Sequence, residues 1–154
     1  LPVFDKVSDN RKKYRRKVNK ADLIILEGWC VGSKPIDSIY LKKNINDLEK
    51  IEDSNLLWRN AYNKALIEYQ KVFKKFSYFI FIKIPNWKFV IDWKYKQELG
   101  LRSSNSNNHL KKKLYRFIQF YEKLSKWMFL TSPSDCNVLV TLDKKQTAKK
   151  ITYK

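Results

Sequence analysis

Glycine is scarce in this 154-residue chain, with Gly28, Gly32 and Gly100 its only instances, and no G-x-x-x-x-G-K-[ST] pattern occurs. The stretch therefore contains no glycine-rich loop of the kind whose backbone N–H groups cradle phosphates. The two cysteines, Cys30 and Cys136, lie far apart, in neither a C-x-x-C spacing nor a Cys/His cluster. That argues against a metal or redox centre and for reduced, structural thiols. The single histidine, His109, sits beside a polar stretch with no Ser or Cys partner motif and reads as a surface residue. No run approaches the roughly 18 to 20 apolar residues that span a bilayer, and the start of the chain lacks the basic-then-apolar pattern of a secretory signal. A soluble, cytoplasmic protein is expected.

Acidic residues are also few, 15 against 33 basic ones, for a formal charge of +18. Clustered Lys and Arg neutralise phosphates and release counterions, so this charge invites a nucleic-acid reading. The kind of basic residue argues the other way, because 27 are Lys and only 6 are Arg, with abundant Asn and Ile besides. Such a profile follows from AT-rich codon usage without selection for a ligand. Zinc-finger, basic-zipper and RNP-like aromatic motifs are all missing. The best candidate patches for an anionic partner are Lys111, Lys112 and Lys113, and the basic run from Lys12 and Lys13 to Lys17.

The length suits one domain with a real core, which a 15% aromatic content can fill. Residues 11–20 form a basic segment leading into Leu23, Ile24, Ile25, Leu26 and Glu27, an unbroken aliphatic run ending in a carboxylate and followed by Gly28 and Gly32. Four aliphatics without alternation predict a strand buried on both faces, as in a parallel α/β sheet, and such sheets bind ligands beyond the carboxyl ends of their strands. Glu27 stands at that end. Its ordinary reading is a solvated loop acid. After a turn over 28–35, a mixed helical region spans about 38–76, in which Leu56, Trp58, Ala61, Leu66, Tyr69, Val72 and Phe73 recur at helical spacing as core. Residues 78–84 predict a second buried strand, ended by Pro85, with a parallel neighbour. A helix over 87–99 stopped by Gly100, a polar stretch over 102–108, a long amphipathic helix through Leu114 to Met128 and a third strand over 137–142 complete the chain. The alternation of strands and helices predicts an α/β layered fold with a parallel sheet.

Three motifs in this order, Pro2-x-Phe4-Asp5-Lys6-x-x-x-Asp9-x-Arg11, Glu27-Gly28-Trp29-x-Val31-Gly32 and Asp92-Trp93-Lys94-x-x-Gln97-Glu98, resemble the C-terminal half of the D-glycerate 3-kinases and their P-loop relatives of the uridine kinase and phosphoribulokinase type. Residues 58–63, 117–124 and 138–143 fall where that family places comparable helices and a strand. The resemblance implies a three-layer P-loop NTPase-like kinase fold with a parallel sheet, from which the N-terminal strands and the phosphate loop are missing. It makes residues 1–154 the C-terminal part of one kinase domain, a truncation or split gene product, with a candidate lid over 93–113. ATP-dependent phosphoryl transfer to a small hydroxy acid, best matched by D-glycerate, is the implied activity, with ATP and Mg²⁺ as cofactors and the piece alone inactive.

The same resemblance distributes roles. Glu27 would bind Mg²⁺ through water or orient the attacking hydroxyl. Asp5, Lys6, Arg11 and Trp29 would face the acceptor, with a Lys and an Arg able to hold a carboxylate. Lys94, Gln97 and Glu98, three or four residues apart and so on one helix face, would form a lid-side wall, and Arg102 would reach nucleotide phosphates. The ordinary readings are an exposed salt bridge for the first cluster and a plain surface arginine for Arg102. At the position of Lys94 the family usually has Arg, and an ammonium lacks the bidentate fork of a guanidinium. Phe120 and Lys123 stand where the family suggests His and Arg, so no role is carried onto them. In this fold class the first strand lies between the third and fourth, which would leave residues 23–27 without a partner and the isolated chain prone to unfold or aggregate. The other readings are a basic stand-alone module for nucleic acid or another anionic partner, and a non-catalytic kinase paralogue.

Overall fold

The computed structural model describes residues 1–5, 8, 10–102 and 108–154, with side chains at all of these except 100–102 and 108–109. Lys6 and the side chain of Arg102 therefore lie outside the described residues. The chain opens with an antiparallel hairpin, β1 (Pro2–Asp5) and β2 (Asn10–Arg15), in which Phe4 faces Arg11 and Pro2 faces Arg15 across a bulge. Sequence patterning missed this hairpin because every residue of β2 is exposed and polar or aromatic, leaving no hydrophobic alternation to read.

The helical region over 38–76 is three pieces. Asp37 caps α1 (Ser38–Lys42) by accepting from the Tyr40 amide at 2.8 Å, a short π-helical segment covers Leu48–Glu52, and α2 (Leu57–Phe73) carries the apolar stripe. Leu56 begins α2 from a left-handed conformation (φ 64°), and the Asp53 carboxylate takes the free amides of Trp58 and Arg59 at 2.8 and 3.2 Å. There follow β3 (Ile80–Lys83), α3 (Lys88–Arg102), α4 (Asn108–Asp135), β4 (Val138–Leu142) and β5 (Ala148–Tyr153). The sheet runs β3-β4-β5: β3 and β4 are parallel as expected, whereas β5 returns antiparallel to β4, so the sheet is mixed. The return is a tight turn in which Asp143 Oδ1 accepts from the Lys145 and Thr147 amides at 2.8 and 2.9 Å.

Ile36, Leu41, Leu66, Phe81, Leu124, Met128 and Cys136 form the core, drawn from the loop before α1, from α1, α2, β3 and α4, and from the residue after α4. Beside it lies a buried ionic cluster. Arg59, with no exposed surface, uses all five of its N–H donors: Nε to Asp53, one terminal nitrogen to Leu41 O and Asn44, the other to Glu49 O and Asp53 O. Lys123 from α4 adds a 3.2 Å ion pair to Glu49 and bonds to the carbonyls of Lys43 and Tyr40 at 2.6 and 3.0 Å. It thereby ties α4 to the loop that follows α1.

Two further expectations require correction. Gly100 does not stop α3, which continues through it to Arg102. Residues 23–27 are not a strand: they have no ladder partners, and Leu23, Ile24 and Ile25 are largely exposed. The aliphatic run has the sequence of a buried strand, but strand structure is a property of pairing, and no described strand lies alongside either of its edges.

Candidate functional site

An open apolar cleft of about 1190 Å³ lies between residues 23–29 and the 78–84 segment containing β3, and is also lined by Phe117, Tyr121 and Met128 of α4. Successive strand residues point to opposite faces, so a cavity on a face would touch alternate residues. Here every residue from Leu23 to Trp29 on one side and from Tyr78 to Ile82 on the other lines the space. The cleft therefore lies between the free edge of β3 and the unpaired 23–29 stretch. β3 is hydrogen-bonded to β4 on its other side only.

The turn after Glu27 is held from two directions. Trp29 donates its indole N–H to Ser125 Oγ at 2.6 Å and meets Tyr121 edge to face with ring centroids 4.7 Å apart. Gly32 has φ +79°, and a Cβ there would lie 2.6 Å from the Phe79 ring, so glycine is required both for conformation and for close approach to the residue before β3. Burial pushes the Cys30 thiol up, against a smaller opposing effect of its own backbone, which keeps it protonated beside this turn.

Of the residues singled out from sequence, Glu27, Trp29 and Lys94 line this one cleft. Glu27 is exposed at its rim. Lys94 donates to Gln97 Oε1 at 3.1 Å and pairs with Glu98 at 3.0 Å, so these three share a helix face as their spacing predicts. Asp5 and Arg11 lie on the hairpin instead, where Asp5 is 3.8 Å from Lys12 and Arg11 is exposed. Trp29, expected against an acceptor, has its indole N–H committed to α4. Lys123, to which no role was carried, reaches Glu49 Oε2 at 3.2 Å beside Arg59, which lies 3.6 Å from the same oxygen; its wholly buried surroundings could not be read from a helix whose neighbours are polar and aromatic. Among the described residues no three His, Cys, Asp or Glu side chains gather as a metal site.

Over its whole length this architecture superimposes on the D-glycerate 3-kinase of Cryptococcus neoformans var. grubii, with a TM-score of 0.70 at 17% identity, covering 59% of that chain. The chain shares part of the fold of that D-glycerate 3-kinase. A sequence relative, the uncharacterized kinase mug58 of Schizosaccharomyces pombe, is 29% identical over 100 residues, which are 64% of this chain and 35% of the relative. The chain thus spans well under two thirds of the length of either kinase. No protein-family profile matches it. Among the described residues no helix is long and apolar enough to cross a membrane. The mixed α/β fold brings Glu27 and Lys94 to one opening from segments 67 positions apart in sequence.

Proposed function

We propose that this chain is the C-terminal part of an ATP-dependent kinase that phosphorylates a small hydroxy acid, D-glycerate first among them, and that it is inactive without a segment bearing the phosphate loop. The observation that carries this reading is the cleft between residues 23–27 and β3. A strand inserted there would pair with the free edge of β3 and with the unpaired 23–27 stretch and deliver the loop at its carboxyl end next to Glu27. The likeness in fold to a D-glycerate 3-kinase and in sequence to a kinase supports the same activity.

In the completed site the acceptor hydroxyl attacks the γ-phosphorus of ATP, ADP departs, and the hydroxyl proton passes to a base. Glu27 is assigned the orientation of that hydroxyl. A lone carboxylate fits Mg²⁺ held largely by water and nucleotide phosphates, and Glu27 is the residue that would hold it; the metal would neutralise phosphate charge. Asp5, Lys6, Arg11 and Trp29 are assigned to the acceptor, and Lys94, Gln97, Glu98 and Arg102 to the lid-side wall. Because Glu98 already neutralises Lys94 at 3.0 Å, the wall attracts phosphate more weakly than an unpaired guanidinium would.

The test is to read the DNA upstream of the Leu1 codon for an in-frame strand followed by G-x-x-x-x-G-K-[ST], and to assay the longer chain for ADP release with ATP, Mg²⁺ and D-glycerate. D-glycerate-dependent release that falls at least ~100-fold in Glu27→Gln is expected. A start codon without the motif, or a longer chain that releases no ADP with D-glycerate, overturns the proposal.

A further inference from the structure

The lysine excess of this chain is spread along its length, but its arginines are not: Arg11, Arg15 and Arg16, half of the six, fall within six positions. AT-rich codon drift accounts for lysine and not for this clustering. The segment 10–20 holds seven cations, Arg11, Lys12, Lys13, Arg15, Arg16, Lys17 and Lys20, and no acid. All eleven of its residues are exposed. The ribbon that presents them is fixed by backbone pairing, with Arg16 N bonded to Leu1 O at 2.8 Å and β2 laddered to β1.

We propose that the β1–β2 hairpin is a nucleic-acid-binding surface that engages the phosphodiester backbone of a single strand. This function does not rest on the kinase reading; of the seven cations it shares only Arg11 with the residues assigned to the acceptor, and the variants tested below leave Arg11 in place. Three features choose this occupant. Guanidinium groups make bidentate contacts to phosphate that ammonium groups do not. Because successive strand residues point to opposite faces and all are exposed, cations project from both sides of the ribbon, which a flexible polymer can follow and a planar leaflet cannot. Phe4 and Tyr14, 55% and 60% exposed, place aromatic rings among the cations, Lys12 lying 5.8 Å over one face of Tyr14, and bases can stack on the ring faces left open. A membrane-lying segment needs a continuous apolar face, and the only apolar side chains within 10–20 are Tyr14 and Val18.

The experiment is fluorescence anisotropy of a labelled oligothymidine about twenty nucleotides long, titrated with the chain over a series of salt concentrations and with no nucleoside triphosphate present. Two triple variants remove equal charge: Lys13→Ala/Arg15→Ala/Arg16→Ala on the hairpin and Lys111→Ala/Lys112→Ala/Lys113→Ala on α4. Circular dichroism verifies that both are folded. The hairpin variant is expected to weaken binding and flatten the log-affinity against log-salt slope by about 2, from about 0.7 per lost phosphate contact, while the α4 variant changes neither to that degree. Equal losses in the two variants would mean that diffuse charge alone is responsible. That result, no binding to the oligonucleotide, or tighter binding to phosphatidylserine vesicles, overturns the proposal. None of these outcomes bears on D-glycerate phosphorylation.

Discussion

Arg59 and Asp53 are joined twice, side chain to side chain at 2.7 Å and through a 2.5 Å bond from the guanidinium to the Asp53 carbonyl, while the same carboxylate caps the helix on which Arg59 sits. One pair thus closes the loop before α2, satisfies the first turn of that helix and neutralises a charge with no access to water. Removing either member leaves the other charged and buried. Arg59→Leu is expected to cost about 3 to 5 kcal/mol in urea unfolding, and Arg59→Lys to recover little, since a lysine cannot supply five donors in a plane. Near-wild-type stability of Arg59→Lys would show that charge alone suffices.

Acid should weaken the same cluster first. Burial works against the Asp53 carboxylate, but hydrogen bonds from the Arg59 side chain and from the amides of Trp58 and Arg59 outweigh it and hold the folded-state value below the ordinary range. A lowered folded pKa means that the unfolded chain binds the proton more tightly. The stabilisation is therefore complete above the unfolded value near ~3.9 and is lost as pH falls towards the folded one. Thermal melts of Asp53→Asn should show less loss between about pH 4 and 2 than those of the wild type.

Gly32 and Phe79 make a second strict pair. Gly32→Ala is expected to destabilise by more than the ~1 to 2 kcal/mol of a left-handed alanine, because the new methyl also meets the Phe79 ring at 2.6 Å. Adding Phe79→Leu should return only the steric part. A double-mutant cycle on melting temperature separates the two, and full recovery in the double variant would mean that the backbone conformation carries no cost.

These pairs mark where sequence reading succeeds and where it stops. The helical spacing of Leu66, Tyr69 and Phe73 announced α2, but not its burial: of the stripe expected as core only Leu66 is buried, while Ala61, Tyr69 and Val72 are exposed; the shared face of Lys94, Gln97 and Glu98 followed from their spacing alone. β3 and β4 were legible as apolar runs. The 23–27 run was read by the same rule and differed, since its strand character depends on a neighbour rather than on its own residues. The hairpin had no apolar period to detect, and β5 follows a turn of Asp143, Lys144, Lys145 and Gln146 whose geometry is set by one carboxylate. Of the candidate site, Glu27 and Lys94 meet at one cleft; the seat of Trp29 depends on Ser125, 96 residues away, which no local pattern encodes.

The indole of Trp29 should be sensitive to that seat. Ser125→Ala removes the acceptor for a partly buried N–H while leaving the ring against Tyr121, and is expected to cost about 1 kcal/mol in chemical unfolding. Tyr121→Ala, which also removes the edge-to-face contact and opens the cleft, should cost more, about 3 to 5 kcal/mol. The order of the two variants is the check: a larger loss for Ser125→Ala would make the hydrogen bond, and not the ring packing, the anchor of the turn after Glu27.

The free edge of β3 and the unpaired stretch across the cleft predict how the chain behaves by itself in solution. Leu23, Ile24 and Ile25 stand 75%, 72% and 79% exposed, and across the gap Ile80 and Ile82 of β3 are more than half exposed beside an edge with unpaired N–H and C=O groups. An edge of this kind templates pairing with another chain, and nothing along either stretch blunts it until Glu27 or Lys83. Residues 1–154 alone are therefore expected to self-associate at micromolar concentration, read by light scattering behind a sizing column. Placing charge on both edges, Ile24→Lys with Ile82→Lys, should shift the chain towards monomer even though net charge is already +18, because the effect is local to the pairing edge rather than colloidal. If the unaltered chain elutes as a monomer over that concentration range, the edges are satisfied without a further strand, and the proposal that the cleft receives one loses its physical basis.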